Sequence, residues 1–369
     1  YIRMSMIFDT LVWKNREGDI IPMLAESWSF DKNKNMFAFK LRDDVSWHDG
    51  NSFDAADVVF TFQYIKKHPW IWVDSEVIDS VEMTGTYSVN IYLSGKYAPF
   101  LNNIAGTLPI LAEHIWEKVD DPINYTGKDA VIGTGPFKLK DYNNSEGTYL
   151  FEANKDYYLG RVNIENLAFI KVSEETALAM LENNEIDASS IPPDIVSDIE
   201  NKFLIEQEPP TWVAKLLINH ESNEILKNKE IRQALVQAIN KSQIVQISQR
   251  GFAVEGSDGL IPPSNTEWYC GEAAKYDFDC SRSKSLIESL GWSMQEDGYY
   301  YKDGDIFYLE LAVSSGDFER DAQIIKENLK NAGIKVDIIT YESKTLDSMV
   351  ENWNFDIAIS GHGGLSGDP

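Results

Sequence analysis

The sequence predicts an α/β protein built from more than one domain, and three observations carry that prediction. At 369 residues the chain exceeds one ordinary domain, so two or three are expected. Its first half holds short runs with the two-residue alternation of half-buried strands. Its second half contains FYLELAVSSGDFERDAQIIKENLKNAGIKVDIITY, which reads strand, loop, helix, strand and points to an open α/β lobe.

Taken in order, Tyr1 to Trp13 reads as helix. Phe37, Phe39 and Leu41 then alternate with Ala38, Lys40 and Arg42 in a half-buried strand. His48-Asp49-Gly50 is a turn whose glycine is free to take positive φ. Asp54 caps a following helix, with Asp57 placed for a near capping box. Strands follow near Ser88–Leu93, Gly135–Tyr142, Thr148–Ala153 and Leu167–Val172, and a helix over Glu174–Asn183. A polar stretch with Pro192, Pro193, Pro209 and Pro210 leads into the apolar run Trp212–Ile218. KNKEIRQALVQAINKSQIVQISQRG is one long helix or a broken pair ending before Gly251. Helix 319–332 stops at Ala332-Gly333, and Asn354–Ser360 is a further strand.

Composition excludes some classes. A hydrophobic content of 43% with 12% aromatic is enough for real cores and argues against disorder. The 33 basic against 59 acidic residues leave a net charge of -26, a field that repels nucleic acid and anionic membranes. No signal peptide or membrane-spanning run is read in these residues, and a start at Tyr1 is expected of a processed or trimmed chain. Cys270 and Cys280 are close in sequence. A disulfide between them is expected, stabilising by roughly 2–3 kcal/mol and pointing to an oxidising compartment, with two free thiols as the alternative.

The residues that invite chemistry are few. His48-Asp49 has the composition of a proton-transfer pair, but neighbours on a tight turn do not face each other, so the pair reads as scaffold. His48, His68, His114, His220 and His362 are scattered and form no metal-binding spacing. Gly133-Thr134-Gly135-Pro136 lacks the lysine of a phosphate loop and reads as a turn into a strand. GHGGLSGDP, residues 361–369, follows a strand and so falls where open α/β sheets bind ligands. Trp212 and Trp13 are aromatic candidates for a cleft, with packing as the competing role.

Three blocks carry a family resemblance. They are Gly18-Asp19-Ile20-Ile21-Pro22-Met23-Leu24-Ala25-Glu26-Ser27-Trp28, then FAFKLRDDVSWHDGNSFDAADVVFTF, then Asn219 with Arg232-Gln233-Ala234, Ala238-Ile239-Asn240-Lys241. Gly133 to Phe137 and Tyr157-Tyr158 fit as well. Together they resemble the extracellular solute-binding proteins of family 5, the peptide- and nickel-binding subunits of ABC importers. The resemblance implies a two-lobed, periplasmic-binding-protein-like α/β fold (type II, cluster C) whose first lobe carries an extra subdomain. It implies a first lobe over 1–219, a second over 220–369, a hinge near Asn219–Glu221, and a chain truncated at both ends.

The resemblance also implies capture of a peptide between the lobes and delivery to a membrane permease, outside the cytoplasm, by a monomer without cofactor or catalysis. Lipid anchoring belongs to the same picture. Ligand-facing positions are expected at Trp212, Ser315, His362, Gly363, Gly364 and Leu365. The two anchors of dipeptide binders have no counterpart here: the acid falls at Leu365, and Arg320 aligns with a helix residue. Asp368 or Asp317 is the candidate substitute acid. The alternative reading is uptake of a nickel or other metal chelate with His362 as ligand. A secreted carbohydrate-acting enzyme is the alternative of a different class, and it needs two facing carboxylates about 5–9 Å apart.

Overall fold

The structure is a computed structural model that describes residues 2–15, 18–70, 72–143, 145–207, 212–221, 223–259, 261–263, 265, 268–316 and 318–363. The chain folds into two compact units that divide after Met180.

The first unit opens with a short helix, α1 (Ile2–Ser5), and the paired strands β1 (Val12–Lys14) and β2 (Ile20–Pro22). The single helix expected over Tyr1–Trp13 is therefore wrong beyond Ser5. The backbone that would continue it is used elsewhere, because Met6 O accepts from Phe137 N at 2.9 Å and Ile7 O from Gly135 N at 2.7 Å.

Strands β3 (Ala25–Asp31), β4 (Met36–Leu41), β5 (Ile78–Gly85) and β6 (Ser88–Leu93) form an antiparallel sheet in the order β3-β4-β6-β5. The alternation read at Phe37–Leu41 thus belongs to an inner strand. Helix α2 (Ala55–Lys67) starts where Asp54 accepts from Ala56 N, and Asp57 closes the capping box by accepting from Asp54 N at 3.1 Å. Its Val58, Phe62 and Ile65 join Phe39, Leu41 and Ile91 in one core. Asp57 also accepts from Glu113 N at 2.9 Å, fixing helix α3 (Glu113–Trp116).

A second antiparallel sheet of this unit contains β7 (Phe137–Asn143), β8 (Thr148–Ala153) and β9 (Asn166–Phe169). It has its own core of Ile7, Phe8, Phe137 and Phe151. Two separate cores within one unit match a first lobe with an extra subdomain. Helix α4 (Glu174–Glu182) runs across the division between the units.

In the second unit, α5 (Val196–Ile199) precedes strand β10 (Trp212–Ile218), and α6 (Glu224–Lys227), α7 (Lys229–Ala238) and α8 (Lys241–Ile247) follow. The long helical run is a broken pair. Ile239 is extended, and Asn240 restarts the helix by accepting from Gln243 N at 3.0 Å. Next come α9 (Cys280–Ser289) and the small sheet of β11 (Ser293–Met294), β12 (Tyr300–Lys302) and β13 (Asp305–Ile306).

The main sheet adds β14 (Tyr308–Ser314), β15 (Lys335–Tyr341) and β16 (Ile357–Gly363), in the order β10-β16-β14-β15. Helices α10 (Glu319–Asn331) and α11 (Ser343–Glu351) connect the parallel strands. Register sorts the side chains by face. Leu311 and Ile357 pair and join the core with Leu235 and Leu329, while Ala312 and Ala358 pair and pack with Leu346 of α11.

Two expectations meet a different arrangement in the structure. The lobe boundary was expected at Asn219, whereas the compact units divide after Met180; β10 pairs along its whole length with β16 and so groups with the second unit. Asn219, expected near the hinge, lies within the second unit. It is fully buried, and its Nδ2 donates to Trp353 O and Phe355 O, each at 2.8 Å. The expected disulfide is not formed either: Cys270 and Cys280 are free thiols, and Cys280 Sγ contacts Asn331 O at 3.7 Å.

Candidate functional site

Of the sequence-predicted ligand positions, Trp212, Ser315, His362 and Gly363 gather at one edge of the second unit's main sheet. β14 and β16 run parallel, so their carboxyl ends share that edge, and antiparallel β10 brings its first residue there. Trp212 pairs with Gly363, and Val213 with His362. β16 continues through Gly363 rather than stopping at Ser360, because β10 pairs with it up to Trp212. Ser315 follows β14 directly, exposed, with its N–H donating to Tyr341 O at 2.9 Å. The side chain of His362, and Gly364, Leu365, Asp317 and Asp368, lie outside the described residues.

Trp212 is the side chain that stands out there. It is 60% exposed. Its indole edge occupies the space a side chain on Gly361 would need: a Cβ built at Gly361 falls 2.3 Å from both Cζ2 and Nε1 of Trp212. Along β10 runs a cavity of about 780 Å³ with Trp212, Leu216, Phe252 and Phe318 in its wall. Asp321 also lines it, buried, with Oδ1 lacking a hydrogen-bond partner among the described residues. Burial holds this carboxyl above the usual range.

Arg320 does not point to an open carboxylate site. Its guanidinium grips Asp194 with two bonds of 3.1 and 2.8 Å, and Arg250 Nε adds a third at 2.5 Å. The two guanidiniums hold the Asp194 carboxyl down at about 2. Trp13, the other aromatic candidate, is half-buried in β1 opposite Ile21.

In the first unit, the His48-Asp49 turn is scaffold. Gly133 N donates to His48 Nδ1 at 3.3 Å, so that nitrogen carries no proton, and Nε2–H donates to Gly135 O at 2.9 Å. Burial keeps the ring below the usual imidazole value. Asp49 instead meets His114 Nε2 at 2.8 Å. The Gly133-Thr134-Gly135 segment is a close crossing of two backbones, since a Cβ on Gly133 would sit 1.9 Å from Ile7 O.

That crossing encloses a group the sequence did not reveal. Asp9 is 4% exposed and accepts from Thr134 Oγ1 at 3.2 Å and from the Tyr157 hydroxyl at 3.5 Å. Burial pushes its carboxyl up to about 6, against the pull of those hydroxyls. Asp9 and Thr134 are 125 residues apart, so no local spacing announces them. The glycine pair flanking Thr134 was the one available signal.

With this geometry in place, comparison with known proteins identifies the class. Residues 19–369 match the model of the bacterial extracellular solute-binding proteins, family 5 (middle region). The chain belongs to that family. The oligopeptide-binding protein AppA of Bacillus subtilis is 28% identical over 374 residues, covering 97% of this chain and 68% of that protein. Among solved structures, NikZ from Campylobacter jejuni in complex with Ni(L-His) superposes with a TM-score of 0.82 at 27% identity, covering 99% of this chain and 73% of that one. AppA from Bacillus subtilis in complex with a nonapeptide gives 0.74 at 26% identity, covering 99% and 75%. No helix among the described residues is long and apolar enough to cross a membrane.

Proposed function

We propose that this protein captures a peptide outside the cytoplasm and hands it to the membrane permease of an ABC importer. The observation that carries the reading is the family match across residues 19–369, together with the likeness to an oligopeptide-binding relative over 97% of the chain. Binding is the whole of the chemistry, and no catalytic step is assigned. A ligand favours the closed, permease-competent form only by its differential affinity for the open and closed states.

The ligand-facing residues in this reading are Trp212, Ser315 and the strand end at His362 and Gly363, with Gly364 and Leu365 beyond it. Main-chain groups at that strand end suit an extended peptide, which supplies matching donors and acceptors at every residue. Arg320 is engaged by Asp194, so it offers a peptide carboxylate no free partner. This supports peptides whose termini are held elsewhere.

A second reading, uptake of a nickel chelate with His362 as a ligand, is favoured by the likeness to the Ni(L-His) complex of NikZ. A thermal-shift screen of the intact protein separates the readings, because only a true ligand raises the melting point by mass action. Peptides are expected to do so. Stabilisation by Ni(II)-histidine and by no peptide would sink the peptide reading, and turnover of a chromogenic glycoside would sink the binding-protein class.

A further inference from the structure

We infer that Trp212 is an aromatic platform that selects ligands carrying a planar ring, with Gly361 as the residue that positions it. The inference rests on the binding-protein reading above and adds the ligand class.

The argument begins with cost. An indole is a large apolar surface, and folding ordinarily hides it. Trp212 is 60% exposed although the β10 residues that follow it are mostly half-buried. Yet its position is closely defined. It is the first residue of β10, paired with Gly363, and its Nε1–Cζ2 edge fills the volume above Gly361. Any larger residue at 361 would put its Cβ 2.3 Å from the ring and displace it. The bare backbone of β16 is therefore a seat for the edge of the indole, while most of the ring surface stays open.

Exposure alone does not single Trp212 out, since Trp72 and Trp268 are likewise exposed without a ring partner among the described residues, but Trp353 shows the contrasting arrangement. Trp353, 54% exposed, already has ring neighbours in Phe355, at 6.2 Å between centroids, and His220, at 6.4 Å. Among the described residues Trp212 has no such ring partner. Its location is also distinctive: it stands at the carboxyl-end edge of the parallel strands, where open α/β sheets take their ligands.

A rigid, edge-seated ring with open surface favours a flat apolar partner at small entropic cost. The shared chemistry is an aromatic ring, either a peptide side chain (Phe, Tyr, Trp) or the imidazole of a metal–histidine chelate. The main-chain contacts of an extended peptide serve every sequence alike, so the ring contact is what would discriminate among peptides.

The test is calorimetric titration of the intact protein and of Trp212→Ala, Trp212→Phe and Gly361→Ala. The probes are Ala-Phe-Ala against tri-alanine, and Ni(II) with histidine against Ni(II) with glycine, with melting points read alongside. The wild type is expected to prefer the ring-bearing member of one pair by about tenfold, the scale of an aromatic pair. Trp212→Ala should abolish that preference, and Trp212→Phe should keep most of it. Gly361→Ala should weaken the preference with Trp212 still present, which marks it as a positioning residue. A preference in the peptide pair assigns the ring to a side chain, and one in the nickel pair assigns it to an imidazole. Equal binding of ringed and ringless probes, or a preference that survives Trp212→Ala, overturns the platform alone. A wild type that binds neither peptide overturns the peptide reading, and one that binds none of the four probes overturns both.

Discussion

Replacing Asp9 by Asn should change how stability depends on pH, and the size of the change follows from the buried cluster around it. Asp9 is enclosed by the crossing of residues 6–9 with 133–137 and held by the Thr134 and Tyr157 hydroxyls. Its carboxyl sits at about 6 against an ordinary 3.8. The folded protein therefore binds this proton more tightly than the unfolded chain. The stabilisation it gives is fully present below pH 3.8, declines as pH rises, and is lost above about pH 6. A difference of about two units is worth about 3 kcal/mol. Asn keeps an acceptor for Thr134 and carries no charge at any pH. The stability of Asp9→Asn relative to wild type should thus be about 2 kcal/mol more favourable near neutrality than near pH 4. Urea unfolding at matched ionic strength measures the difference, and subtracting the two proteins cancels the other 58 acidic groups, the remainder of 59 in all. Because the chain has two units, hydrogen exchange of segments 6–9 and 133–137 should report the same trend locally. A difference that stays flat with pH, or falls toward neutrality, would refute the assignment of a buried, protonatable Asp9.

Further expectations concern the scaffold. Gly133→Ala would drive a Cβ to 1.9 Å from Ile7 O, which neither backbone can yield cheaply, so a loss of more than about 4 kcal/mol is expected in chemical denaturation. Asp54→Ala removes the α2 capping box and should cost about 1 kcal/mol in the same assay. Asn219→Ala strips the Trp353 and Phe355 carbonyls of a buried donor and should cost about 2–3 kcal/mol, with the loss confined to the second unit by hydrogen exchange. Both Cys270 and Cys280 should be alkylated under denaturing conditions without prior reduction, as two free thiols require; a mass showing neither modified would restore the disulfide.

Much of the fold was legible in the sequence because its signals are local. The alternation at Phe37–Leu41, the Asp54 and Asp57 spacing before α2, and the interruption at Ile239-Asn240 each reflect chemistry within a few residues of one another. What escaped was non-local. The segment after Ser5 has a helical pattern, but its carbonyls are captured by a strand some 130 residues later. The grouping of β10 escaped for the same reason: it looks like a continuation of the first lobe until its partner β16 is seen. At the site, the sequence picked out Trp212, Ser315 and the β16 strand end, and the sheet brings them to one edge. It included Gly361 in the 361–369 stretch but not its role beneath Trp212, and it missed the pairing of Arg250 and Arg320 on Asp194.

The central claim is that the protein binds a peptide, and titration calorimetry of the intact protein with a mixed-sequence peptide library addresses it most directly. The account predicts saturable binding of peptide at one site per chain, retained when nickel is chelated away. Saturation by Ni(II)-histidine with no heat from any peptide would contradict it.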